Sequence, residues 1–143
     1  MSREPYQVLV FLRKRICGQD RYLVLKRADM NVWQGVAGGG EDGEIPKETA
    51  IRETLEETGV HVESIKQLSS VAMLPVSDVV GSHLWGAGIG EIPEYSFVAD
   101  VDDDAAVALG DEHEDSRWCD YDEAMELLEW ESNRGALREI ALA

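Results

Sequence analysis

Three consecutive glycines, Gly38–Gly40, lead into a segment that opens at Pro46 and closes at Gly59, and this stretch constrains the chain more than any other. Proline suits the first helical position, where its missing N–H costs nothing, and glycine suits the left-handed residue that closes a helix. The spacing predicts a helix over residues 46–58, preceded by a glycine loop. Other segments have the period of strands. Tyr6 to Leu12 (YQVLVFL) and Arg21 to Lys26 (RYLVLK) read as a hairpin around the turn Cys17-Gly18-Gln19-Asp20. Glu94 to Val101 and Arg117 to Tyr121 read as further strands, Val60 to Met73 holds one or two more, and Pro75–Pro93 reads as a long irregular loop. Asp120 and Glu123 have the spacing of a helix start, with Met125, Leu127 and Leu128 as its apolar residues. Ser132 is placed to cap a last helix that buries Leu137, Ile140 and Ala141. With no internal repeat and no linker, residues 1–143 read as one mixed α/β domain.

The 143 residues, 44% of them hydrophobic, suffice for one core and exclude a disordered chain. No apolar run approaches the roughly 20 residues of a spanning helix, and the N-terminus lacks the pattern of a signal peptide. The net charge is −16, and 14 acids against the single base Arg117 fall between Asp100 and Glu131. Such a surface repels nucleic acid and anionic membrane, so an anionic ligand needs a cation or a local basic patch. Cys17 and Cys119 read as small buried side chains in a reducing, cytoplasmic setting; with three scattered histidines they match no zinc spacing. Asp100, Asp102 and Asp104 open like an EF-hand loop, but Ala105 stands where glycine is required and Asp111 where glutamate is, so they read as an acidic loop.

On a helix turning about 100° per residue, Glu57 lies near +40° and Glu56 near −60° from Glu53, so three carboxylates share an arc of roughly 100°. Ile51 and Leu55 fall on the opposite side, which is the side expected to face a core. Three adjacent carboxylates repel one another, and a pocket tolerates them only around a cation. Hard divalent ions take oxygen ligands, and magnesium shares its sphere with water and substrate phosphates. Glu44 supplies a fourth acid before the helix, and Arg52 is placed to pair with Glu56 or Glu48. The glycine backbone of Gly38, Gly39 and Gly40 allows a phosphate to approach closely. The competing reading is an ordinary solvated, charged helix.

The ordered combination resembles the Nudix box, Gly-x5-Glu-x7-Arg-Glu-U-x-Glu-Glu-x-Gly-U, with U a bulky apolar residue. Gly38, Glu44, Arg52, Glu53, Glu56, Glu57, Gly59 and Val60 all match, eight positions over 23 residues, and Thr54 departs at a packing position. The resemblance implies an α/β/α sandwich around a mixed β-sheet and hydrolysis of a phosphoanhydride with Mg2+, for which Mn2+ is a substitute. It implies Glu56 and Glu57 as main metal ligands, Glu53 as ligand or water-activating base, Glu44 as support, Arg52 as the orienting group, and the carbonyl of Ala37 or Gly38 as a further ligand. Thr54 is expected to weaken local packing.

Outside the box, Val32-Trp33-Gln34, Ser82-His83, Glu112-His113 ahead of Arg117-Trp118, and Trp130-Glu131-Ser132-Asn133-Arg134 resemble the Nudix subgroup that hydrolyses dihydroneopterin triphosphate in the folate pathway and accepts nucleoside triphosphates. That implies release of pyrophosphate, Glu112 as a ligand or base from outside the box, and Lys26, Arg27, Trp33, His83, Asn133 and Arg134 as substrate contacts. For these the readings as core, strand end or loop residues stay open. The alternatives are a Nudix hydrolase of a dinucleoside polyphosphate or ADP-ribose, and a catalytically idle nucleotide-binding module. The partner is a small-molecule triphosphate, without nucleic acid or membrane, and the chain is a monomer or homodimer.

Overall fold

The computed structural model describes residues 3–75 and 90–142. Strand β1 (Arg3–Ile16) is the spine of a mixed sheet that also contains β2 (Gln19–Arg27), β3 (Trp33–Gln34), β4 (Val36–Glu41), β5 (Ile65–Pro75), β6 (Glu91–Asp100) and β7 (His113–Cys119). The main order is β3-β2-β1-β6-β5, with β4 on β1 and β7 on β2. The β1–β6 pair is parallel and the other pairs are antiparallel. Helix α1 (Pro46–Thr58) covers one face, and α2 (Tyr121–Leu127) and α3 (Glu131–Leu142) cover the other.

Side chains alternate across a strand, so β1 feeds two cores. Val8, Val10 and Leu12 pack with Ala50 on the α1 side, while Leu9 and Phe11 pack with Leu128, Leu137 and Ile140 on the α2/α3 side. Burial on both faces explains why VLVFL is continuously apolar. The hairpin turns through Cys17 and Gly18, at φ 52° and 79°, with Ile16 opposite Gln19. Positive φ at both central residues suits a hairpin's twist. Cys17 is exposed there and only Cys119 is buried, which corrects the expectation for the first cysteine.

Three further expectations change. The glycines 38–40 are not a loop but part of β4, paired to β1 in the register Val8↔Gly38 and Gln7↔Gly39. The ends of the expected 75–93 loop are strand residues, and its centre lies outside the described residues. The last helix begins at Glu131 rather than after a Ser132 cap, and Ala141 is exposed. Helix α1 has the expected limits: Pro46 opens it, Gly59 closes it at φ 72°, and the Glu48 carboxylate accepts from the Ile45 N–H at 3.0 Å.

Candidate functional site

The face of α1 that meets the sheet is not the apolar one. Thr49, Ala50, Thr54, Glu57 and Thr58 are buried, Ile51 is half-buried and Leu55 is 47% exposed. Thr54 fits without a packing defect: it is fully buried and its hydroxyl donates to the Ala50 carbonyl at 2.7 Å. Helix α1 lies so close to β4 that bulk belongs only where the sheet recedes. A side chain at Gly38 would overlap the Glu53 carboxyl, and one at Gly40 would overlap the Tyr6 ring. These glycines are required for close approach, because none of the three has positive φ. Glu53 is consequently pressed against backbone and Glu57 is turned into the protein.

Arg52 organises the acids. Its Nε and Nη2 donate to the two Glu44 oxygens at 2.7 and 3.0 Å, its Nη1 donates to Glu53 at 2.8 Å and reaches Glu56 at 3.2 Å, and Nη2 also donates to the Gly39 carbonyl at 2.9 Å. The expected partner Glu56 is thus joined by Glu44 and Glu53, while Glu48 caps the helix instead. The Arg52 guanidinium holds the Glu44 carboxyl down at about 2. A chain from β1 continues this network: Tyr6 Oη lies 2.6 Å from Thr49 Oγ1, which donates to Glu44 at 2.8 Å. Neither Tyr6 nor Thr49 stands out in the sequence, because their partners come from different elements.

Glu57 is the anomaly. It is 4% exposed, and neither carboxylate oxygen makes a hydrogen bond of good geometry among the described residues, the Glu53 carboxyl and the Ala37 backbone being its polar neighbours. Burial drives its pKa upward, and the neighbouring Glu53 and Glu112 carboxylates add to the effect. Burial likewise raises Glu53, against the pull of Arg52. Opposite stands His113, also buried, with Nε2 3.6 Å from Glu57 and its pKa lowered by burial. Glu112 is exposed, and its carbonyl accepts from Ala28 N–H at 2.9 Å, which fixes the loop entering β7 beside α1.

The other candidates are placed differently. Arg27 forms a two-point ion pair with Asp29 at 2.6 and 2.9 Å, and Lys26 lies opposite Trp33 and Asp115 in the sheet. Trp33 packs against the α2/α3 core with the Arg117 guanidinium 5.1 Å above its ring. Asn133 is buried and accepts from Gly35 N–H at 2.9 Å, whereas Arg134 pairs with Glu131 at 3.5 Å. Trp130 Nε1 donates to Gln34 at 3.2 Å. His83 and Ser82 lie outside the described residues.

Among the described residues no group of three or more His, Cys, Asp or Glu side chains is placed to hold a metal ion. The donor chemistry nonetheless suits a hard divalent ion. Carboxylates predominate, and an orphaned buried one beside another has its charge uncompensated until a cation arrives.

A family model for the NUDIX domain matches residues 5–140, and the chain belongs to that family. Hydrolases of this family generally use a divalent metal such as Mg2+. A solved NUDIX-family protein from Listeria monocytogenes str. 4b F2365 is 40% identical, with a TM-score of 0.83 over 96% of this chain and 92% of the other. The asymmetrical bis(5'-nucleosyl)-tetraphosphatase of Rattus norvegicus is 29% identical over 97% of this chain and 93% of its own length. The dihydroneopterin triphosphate diphosphatase of Escherichia coli strain K12 is 29% identical over 98% of this chain and 94% of its own length. Among the described residues no helix is long and apolar enough to cross a membrane.

Proposed function

We propose that this Nudix hydrolase, which acts on phosphorus-containing anhydrides, cleaves a pterin or nucleoside triphosphate with magnesium and releases pyrophosphate. The observation that carries the metal assignment is the buried Glu57 carboxylate beside Glu53, which has no hydrogen bond of good geometry to offset its charge. Glu56 and Glu57 are the main ligands, Glu53 a ligand or the base, and Glu112, in the loop before β7, a ligand or base from outside the box. The carbonyl of Ala37 or Gly38 supplies a further oxygen. Bound magnesium supplies charge neutralisation at phosphate oxygens and makes water more acidic. Arg52 holds Glu44, Glu53 and Glu56 in fixed directions, so little reorganisation is left for the moment of reaction. A carboxylate at hydrogen-bond distance from water then takes the proton as the oxygen attacks phosphorus in line. The intact acid set argues against a binding-only module.

The substrate subgroup is supported by how the outer motifs meet. Trp33-Gln34-Gly35 and Trp130 to Asn133 are far apart in sequence but interlock through Trp130 with Gln34 and through Gly35 with Asn133. The dinucleoside tetraphosphatases are equally similar in sequence, so they define the competing substrate class. The deciding measurement is pyrophosphate and nucleotide release across dihydroneopterin triphosphate, dNTPs, diadenosine tetraphosphate and ADP-ribose. Highest kcat/KM on dihydroneopterin triphosphate or a dNTP is expected. Preference for the dinucleotide would overturn the subgroup, and metal binding without turnover of any of them would leave a binding module.

A further inference from the structure

On the sheet face opposite α1, the core gives way to polar groups at one end. Glu94 of β6 is 5% exposed and Ser96 is 3% exposed, and both share the face of Val98, which belongs to the α2/α3 core. Glu94 stands opposite Gln7 on β1, which stands opposite Gly39 on β4. Above it lies the first turn of α3, where the Ser132 hydroxyl pulls the Glu94 pKa down against the effect of burial. Glu94 Oε1 is buried and has no partner among the described residues. No residue of the Nudix box explains this acid, and it lies on the other side of the sheet from Glu53 and Glu57.

A buried carboxylate oxygen without a partner is a desolvation cost that packing alone gives the fold no reason to keep. Burial raises the Glu94 pKa and so disfavours its charge, and two N–H donors from a ligand would offset that cost and favour the carboxylate. The register also sets a distance. Neighbouring strands are about 4.8 Å apart, so Glu94 lies roughly 10 Å across the sheet from Gly39, next to the glycine that abuts Glu53.

We propose that Glu94 is a specificity-determining residue that accepts a hydrogen bond from the exocyclic amino group of a 2-amino-4-oxo heterocycle, the ring edge shared by pterins and guanine. The inference rests on the triphosphate reading above and narrows it. Such a ring presents an N–H and an amino group side by side, both donors. Adenine places an acceptor nitrogen beside its amino group and matches an ionised carboxylate less well.

The test uses dGTP and dITP, which differ only in that amino group, with dATP as a third substrate, at saturating magnesium. In the unmodified protein kcat/KM should favour dGTP over dITP by about tenfold or more, since a site built for a donor rejects the analogue that lacks it. In Glu94→Leu the ratio should fall to about 1, with the loss appearing in KM for dGTP. Glu94→Gln is nearly the same size and keeps one acceptor, so it should lower the ratio only partly and covers the case in which Glu94→Leu does not fold. Equal use of dGTP and dITP, preference for dATP, or an unchanged ratio in both variants would overturn the assignment. Turnover without discrimination sinks the role of Glu94 alone. Absence of turnover on all three and on dihydroneopterin triphosphate sinks the triphosphate reading beneath it.

Discussion

Glu57→Gln removes a buried acid whose ionisation the fold opposes, so it should abolish metal-dependent turnover while stabilising the metal-free protein by about 1–3 kcal/mol. The sign follows from burial: a carboxyl whose folded pKa is raised binds its proton more tightly folded than unfolded, so stability declines as pH rises from the unfolded value toward the folded one. The gain from Glu57→Gln should therefore be larger at pH 8 than at pH 5. Thermal unfolding in chelator at both pH values reads this, and a destabilised variant would show that Glu57 serves the fold. Several residue identities were legible without the structure, because Glu44, Arg52, Glu53, Glu56 and Glu57 sit on one helix and its approach. Tyr6 and Thr49 were not, and His113 was marked only as part of the Glu112-His113 motif, because a side chain's partner across the sheet has no local signature.

At the scale of elements, the fit between β4 and α1 sets the site. Gly38→Ala would place a methyl group into the Glu53 carboxyl, so it should cut kcat by about 10²-fold or more through displacement of Glu53, even though residue 38 has an ordinary strand φ. Far-ultraviolet circular dichroism should stay close to the unmodified spectrum. Normal turnover would show that α1 rides further from β4 than described. The helix limits were readable from Pro46 and Gly59, which act through local backbone geometry. The buried side of α1 was not: hydrophobicity favoured Ile51 and Leu55, but close packing on a glycine strand selected Ala50 and Thr54, whose small side chains let the backbones approach. Thr54 is accommodated because its hydroxyl is satisfied within the helix.

For the molecule as a whole, a charge of −16 opposes the approach of a polyphosphate. At saturating magnesium, kcat/KM should rise as ionic strength increases from about 0.01 to 0.15 M, where the screening length shortens from roughly 30 to 8 Å. A fall would reveal local cationic steering strong enough to outweigh the net field. Apart from Glu112, the acids of residues 100–131 are mostly exposed and act through this field rather than as a site. By itself the sequence determined the helix and its caps, the hairpin of β1 and β2 and the ordered carboxylates of the Nudix box, since each depends on spacing along a regular backbone. Tertiary structure decided which carboxylate lost its solvent, which side of α1 met the sheet, and how Trp33–Gly35 met Trp130–Asn133. It also left Glu94 buried beside Ser132. Those outcomes depend on register between strands distant in sequence, and desolvation belongs to the assembled environment rather than to any residue type.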